Sequence, residues 1–135
     1  MFLKVFRMAQ NISEKTSGAF DITVAPAVNA WGFGFKNSET ITDFIIDSLK
    51  TIVGYEKVRE EQGTIVKDDS RIMLDCSAIA KGYGCDMVAA LFDSVGITDY
   101  MVEIGGEIVV KGMNSKGSDW RIGISKPMDD SLATD

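Results

Sequence analysis

One apolar stripe constrains the fold of this chain more than any other feature of its sequence. Its large apolar residues recur every three or four positions: Tyr83, Met87, Val88, Leu91, Phe92 and Val95. This spacing predicts a helix that packs one face on a core and stops at Gly96. Two strand-like runs follow, Tyr100–Ile104 and Glu107–Lys111, and Gly105 and Gly106 between them tolerate the positive φ angles of a hairpin turn. The fold must therefore combine a helix with an antiparallel hairpin.

The earlier part of the chain adds more elements of both kinds. Helical spacing or capping signals predict helices from Met1 to about Thr16, from Pro26 to Trp31, and from Asp43 to Val53 with Thr42 as N-cap. Extended runs are predicted at Ala19–Val24, Lys57–Arg59, Thr64–Lys67, Arg71–Leu74 and Trp120–Ile124. We therefore predict a single α+β domain over residues 1–135, with a mostly antiparallel sheet and packed helices.

Charge and composition narrow the possible functions. The formal net charge of −6 disfavours binding to a polyanion, so nucleic acid is not an expected partner. The chain has no histidine, which excludes Ser–His and Cys–His nucleophile pairs and histidine-ligated zinc. Cys76 and Cys85 match no CxxC spacing and are expected to be small core residues. Chemistry must then depend on carboxylates, lysine, hydroxyls, backbone groups or an added ion.

The first candidate site is LDCSAIAKGYGCD, residues 74–86, where Asp75 ends a predicted strand and Lys81 begins a predicted helix. A lysine in the first turn faces the positive end of the helix dipole and costs about 0.3–1 kcal/mol. A bound phosphate would reverse that cost, and Gly82 and Gly84 would let a ligand approach the backbone. The alternative is that Lys81 extends into solvent while the glycines serve helix packing. The residues alone slightly favour this alternative, since they match neither GxGxxG nor GxxxxGK[ST].

Two further stretches contain candidate carboxylates. In SGAFDITVAPAVNAWGFG, residues 17–34, Asp21 sits among apolar neighbours and either occupies the open face of a strand or holds a polar ligand. The exposed strand position is the favoured interpretation of this stretch alone. In MVEIGGEIVVKG, residues 101–112, Glu103 is expected to be solvated, while Glu107 beside the glycines is kept as a candidate for a metal or polar ligand.

Together and in this order, the three stretches resemble the ApbE family of FAD:protein FMN transferases, once described as thiamine-biosynthesis lipoproteins. The likeness extends over nearly the whole chain and includes the segments VGYEKV and WRIGISKP. It implies an α+β, ApbE-like fold related to the T-fold. It also implies a protein that binds FAD and Mg²⁺, cleaves the pyrophosphate, attaches FMN to a threonine hydroxyl of an acceptor flavoprotein and releases AMP.

The resemblance also implies roles for individual residues. The dinucleotide contacts carried over are Ala19, Phe20, Asp21, Asp75 and Lys81. Lys81 is in addition the implied catalytic residue, which offsets charge on the phosphates, and the main-chain carbonyl of Ala78 is an implied Mg²⁺ ligand. The two phosphates of FAD are the kind of anion that a lysine near a helix N-terminus would attract.

The chain departs from the family pattern in two respects. The family usually has two glycines where this chain has Cys76-Ser77 or Ser77-Ala78. Members also continue with a histidine-isoleucine-aspartate-proline type segment that supplies further metal ligands, and they begin with a stretch that often carries a lipoprotein signal. We therefore expect residues 1–135 to be an internal piece of a bacterial cell-envelope lipoprotein, periplasmic or on the outer face of the inner membrane, and inactive by itself.

Three alternatives to the transferase remain open at this point. A FAD pyrophosphatase would release free FMN and AMP without an acceptor. A flavin-binding module would bind FAD and return it intact. An unrelated α+β domain would not bind flavin at all.

Overall fold

The computed structural model describes residues 1–34 and 40–124 and confirms the α+β class. Its helices and strands, in chain order, are α1 (Phe2–Lys15), α2 (Ala25–Ala30), α3 (Asp43–Ile52), β1 (Val58–Glu61), β2 (Thr64–Lys67), α4 (Ser77–Ser94), β3 (Tyr100–Ile104) and β4 (Glu107–Lys111). Short 3₁₀ turns lie at Ile22–Val24 and Tyr55–Lys57. Residues 35–39 and 125–135 of the predicted domain lie outside the described residues.

The chain forms two compact units, Met1–Tyr83 and Gly84–Asp135, so their boundary falls inside α4. Each unit has an apolar cluster of its own. The buried residues of the first cluster are Phe6, Ala9, Ile22, Ile52, Val58 and Ile72. Those of the second are Cys85, Ala89, Tyr100 and Val102. The single domain over residues 1–135 stays a prediction.

Both hairpins are antiparallel, and each forms a separate two-stranded sheet. In the first, Val58 pairs with Lys67. In the second, Tyr100 pairs with Lys111, and Gly105 and Gly106 form the turn with φ angles of 56° and 92°. Two successive positive φ angles match the twist of a tight hairpin and suit glycine. The predicted glycine hairpin is thus confirmed.

Three predicted extended runs are not strands. The run at Ala19–Val24 contains the 3₁₀ turn Ile22–Val24, and neither 71–74 nor 120–124 forms a ladder with any described residue. Near the last run, an isolated bridge joins Met113 and Asp119. Apolar and β-branched residues favour an extended backbone, but a strand also needs a neighbour to pair with.

Helix α4 begins earlier than predicted, at Ser77 rather than near Lys81. The Ser77 N–H donates to Asp75 Oδ1 at 2.8 Å, which satisfies one of the donors that a helix start leaves unpaired. Lys81 is consequently the fifth residue of the helix and lies beyond its first turn. The dipole effect falls off within that turn, so the predicted cost of a lysine at the helix start does not apply in full.

No helix within residues 1–34 and 40–124 has the length and apolar character needed to cross a membrane. The implied lipid anchor stays a prediction.

Candidate functional site

A short capped turn holds Asp21, the first predicted ligand contact among the carboxylates. Asp21 has an extended backbone and is the N-cap of the 3₁₀ turn Ile22–Val24. Its Oδ1 accepts hydrogen bonds from both the N–H and the hydroxyl of Thr23, each at 2.7 Å. The Thr23 hydroxyl in turn accepts the Gly54 N–H at 2.7 Å, and Thr23 is only 1% exposed. A buried hydroxyl therefore holds one oxygen of the Asp21 carboxylate.

The two residues before Asp21 differ in their surroundings. Ala19 is exposed, and its N–H donates to the carbonyl of Thr16 at 3.1 Å. Phe20 is half-buried and packs against the first apolar cluster, while its N–H donates to the Thr16 hydroxyl at 3.1 Å. Phe20 therefore has a packing role that the sequence motif alone does not reveal, beside its predicted contact with a dinucleotide.

A second capped turn holds Asp75. The pKa of the Asp75 carboxyl is lowered, most by a hydrogen bond from the Ser77 side chain and next by one from the Ser77 N–H, because both donors favour the ionised carboxylate. The Asp75 N–H donates to the carbonyl of Ile22 at 2.7 Å. Since Ile22 lies between Asp21 and Thr23, this one main-chain bond joins the two aspartate turns. Tertiary structure thus brings together two motifs that are more than fifty residues apart in sequence.

A cavity of about 420 Å³ opens beside the second turn. Six of its lining residues are Val28, Asn29, Phe33, Asp75, Cys76 and Ser77. This volume is within the range of small-molecule sites, roughly 300–1,000 Å³. Of the predicted site residues only Asp75 lines it, whereas Asp21, Ala78 and Lys81 do not.

Neither cysteine is suited to nucleophilic chemistry. Burial raises the pKa of the Cys76 thiol, and the neighbouring Asp75 charge raises it further, so the thiol stays protonated at neutral pH. Cys85 is 2% exposed and donates its S–H to the carbonyl of Glu107 at 3.2 Å. Cys85 is buried in the second apolar cluster and the half-buried Cys76 packs against the first, which agrees with the prediction that they are small core residues.

Ala78 and Lys81 both lie on α4 and both are exposed. Residues three positions apart in a helix are neighbours on its surface. The Ala78 and Lys81 side chains therefore lie on one face of α4, about one turn apart. Their roles toward FAD and Mg²⁺ stay predictions.

The described residues do not form a magnesium site by themselves. Within residues 1–34 and 40–124, no three His, Cys, Asp or Glu side chains are grouped so that they could hold a metal ion. Mg²⁺ prefers an octahedral shell of oxygen ligands, so a backbone carbonyl such as that of Ala78 is a suitable donor. It supplies one ligand of about six, however.

Sequence reasoning missed two residues of this site, Thr23 and Ser77. Each follows an aspartate by two positions and donates its N–H to that carboxylate. The recurrence of Asp-x-Ser/Thr in two candidate motifs was the available signal, because aspartate side chains commonly accept from the N–H two residues on. The burial of Thr23 had no such local signal.

Comparison of solved structures identifies the class of protein. The chain superposes on the flavin transferase ApbE from Vibrio cholerae with a TM-score of 0.85 and 45% identity, covering 93% of this chain and 41% of that one. The apo flavinyl transferase ApbE of Pseudomonas stutzeri gives a TM-score of 0.84 at 31% identity, covering 92% and 42%. The fold is therefore that of the ApbE flavin transferases.

The profile of the ApbE family matches residues 1–134, and the chain belongs to this family. It is 45% identical over 127 residues to the FAD:protein FMN transferase of Vibrio cholerae, covering 93% of this chain and 38% of that protein. It is 37% identical over 124 residues to the enzyme of the same name from Escherichia coli K12, covering 87% and 35%. The chain thus spans little more than a third of the length of these relatives.

Proposed function

We propose that the full-length protein containing this chain is a FAD:protein FMN transferase. Relatives that cover most of this chain carry that name. The observation in this chain that best supports the proposal is the hydrogen bond from the Asp75 N–H to the Ile22 carbonyl. It joins two turns that both present a carboxylate, and one of these turns borders a cavity large enough for part of a dinucleotide.

The reaction we propose is phosphoryl-type transfer. An acceptor threonine oxygen attacks the phosphorus on the FMN side of the FAD pyrophosphate, and the hydroxyl proton is lost as the new P–O bond forms. The P–O bond to the AMP half breaks, and AMP leaves with the bridging oxygen. Such reactions depend mainly on positioning and charge neutralisation.

The charge of each site residue determines which part of FAD it would contact. Carboxylates accept hydrogen bonds and repel phosphate, so Asp21 and Asp75 would hold hydroxyl or N–H groups of FAD. The Lys81 ammonium would offset charge that develops on the phosphates. Mg²⁺, when bound, would supply further charge neutralisation, with the Ala78 carbonyl as one ligand and the remaining ligands from FAD, water or residues other than those described.

The full-length protein, incubated with FAD, Mg²⁺ and an acceptor flavoprotein, should yield a fluorescent acceptor band that survives denaturation, and one AMP per attached flavin. Lys81→Ala should lower the yield, whereas Lys4→Ala, which removes an exposed lysine from α1, should leave it unchanged. Equal yields from both variants would remove Lys81 from the reaction.

Two other activities give different products in the same assay. Free FMN and AMP in the absence of acceptor would indicate a pyrophosphatase. FAD recovered intact would indicate a binding module without turnover. We expect the 135-residue chain alone to give no product, because it covers only 38% of the Vibrio cholerae relative.

A further inference from the structure

The Thr23 hydroxyl has its hydrogen-bonding direction fixed by its two partners. A hydroxyl carries one proton and can accept at its lone pairs, whereas a backbone N–H can only donate. The Gly54 N–H lies 2.7 Å from Thr23 Oγ1, so the hydroxyl must accept from it. Its single proton is therefore available for Asp21 Oδ1, also at 2.7 Å. The two hydrogen bonds therefore run in one direction only, from the Gly54 N–H to the Thr23 hydroxyl and from that hydroxyl to the Asp21 carboxylate.

The first donor of these two hydrogen bonds, the Gly54 N–H, belongs to the scaffold of the first unit. Gly54 lies between α3 and the 3₁₀ turn before β1, and its φ of +147° is a conformation that residues with a side chain rarely adopt. Thr23 itself is 1% exposed, so solvent does not compete for its hydroxyl. The Asp21 carboxylate is thereby connected to a defined position at the end of α3 rather than to its own loop alone.

We propose that Thr23 is a positioning residue for the Asp21 carboxylate. By holding Oδ1, Thr23 presents the second oxygen, Oδ2, to the ligand in one orientation. The group held by Oδ2 is a hydroxyl or N–H of FAD, because a carboxylate accepts hydrogen bonds and repels phosphate. This inference rests on the proposed function, since it assumes that Asp21 contacts FAD.

The test is an equilibrium FAD titration of the full-length protein and its variants, followed by flavin fluorescence, with the melting temperature of each variant recorded. Thr23→Val keeps the shape of the side chain and removes the hydroxyl, and it should weaken FAD binding by about tenfold, the equivalent of one hydrogen bond. Thr23→Ser keeps the hydroxyl and should bind within about twofold of wild type. Thr51→Val makes the same substitution at an exposed position of α3 and should bind as wild type does.

A double-variant cycle separates positioning from general damage. If Thr23 acts through Asp21, Thr23→Val should have almost no further effect in the Asp21→Ala background, because no carboxylate remains to be oriented. Should Thr23→Val not fold, Thr23→Ala is measured in its place and judged in the same way.

Two results would overturn the proposal while leaving the transferase intact. The first is a lowered melting temperature for Thr23→Val with wild-type FAD affinity, which would make Thr23 a structural residue only. The second is an equal loss of affinity with and without Asp21. A wild-type protein that neither binds FAD nor transfers FMN would overturn the proposed function itself, and this inference with it.

Discussion

The two aspartate turns have the same local sequence pattern and the same local bond, but different surroundings. Asp21-Ile22-Thr23 and Asp75-Cys76-Ser77 each close with an N–H to Oδ1 bond, at 2.7 and 2.8 Å. Thr23 is buried at 1% exposure, whereas Ser77 is exposed. Both aspartates make the same local bond, while burial determines whether the hydroxyl becomes a fixed part of the scaffold.

The turns also differ in the helices that they precede. The Asp21 turn caps a 3₁₀ helix of three residues, and the Asp75 turn leads into α4, which has eighteen. Only the Asp75 turn borders the cavity. We therefore expect Asp75 to contact the ligand inside the cavity. We expect Asp21 to contact it through a carboxylate whose orientation the buried Thr23 maintains.

The largest expected effect is on FAD affinity. Removal of a charged hydrogen-bond partner costs about 1.5–3 kcal/mol, so Asp21→Ala and Asp75→Ala should each weaken FAD binding by roughly 10- to 150-fold. The measurement is a calorimetric titration of the full-length protein. Asp47→Ala, which removes an exposed carboxylate on α3, is the control and should change nothing. Wild-type affinity in either site variant would end the assignment of that turn to FAD.

The second prediction concerns the free energy of unfolding. Thr23→Val removes the acceptor of the Gly54 N–H, and an unpaired, part-buried donor costs about 1–3 kcal/mol. Ser77→Ala removes an exposed hydroxyl and should cost about 0.5 kcal/mol or less. Urea unfolding of the full-length protein measures both. Equal losses would show that burial does not distinguish the two turns.

The third prediction concerns stability in acid. The pKa of Asp75 is lowered in the folded state, so its ionised form stabilises the fold above the ordinary carboxyl pKa of about 3.9. That stabilisation is lost as pH falls from there through the lowered folded pKa. Thermal unfolding at decreasing pH should therefore show a smaller loss for Asp75→Asn than for wild type.

A parallel pH profile for Asp75→Asn would contradict this prediction. Asp69 does not interfere with the comparison. The pKa of Asp69 is lowered to about 2, chiefly by hydrogen bonds from Arg71. Both proteins keep this pair, so its contribution to the pH dependence of stability is common to them.

The smallest expected effect distinguishes two glycines in α4, the helix after the Asp75 turn. A Cβ on Gly82 would meet no described atom within 4 Å, while one on Gly84 would lie 3.3 Å from Ile104 Cδ1. Gly82→Ala should therefore raise stability by about 0.5–1 kcal/mol, and Gly84→Ala should gain less because Ile104 must shift. Thermal melts of the two variants test this, and a destabilised Gly82→Ala would contradict it.

Much of the fold results from local patterns. Helices α1 and α3 are marked by apolar spacing, and the predicted N-cap Thr42 does accept the Ile45 N–H, at 3.3 Å. The hairpin turn at Gly105 and Gly106 is equally local. The resemblance to the ApbE family can also be found from the sequence alone. The identity and order of the residues in the three motifs do not depend on their contacts.

Two local caps were missed in the sequence, and other contacts depend on tertiary structure. The run Ala19–Val24 has strand-like residues, yet Asp21 caps the 3₁₀ turn Ile22–Val24 within it, and α4 begins at Ser77, ahead of the predicted start near Lys81. Most of all, the bonds from Asp75 to Ile22 and from Gly54 to Thr23 join distant segments. Periodicity and capping act over a few residues and are visible in a sequence, whereas burial and pairing depend on which distant residues the folded chain places beside them.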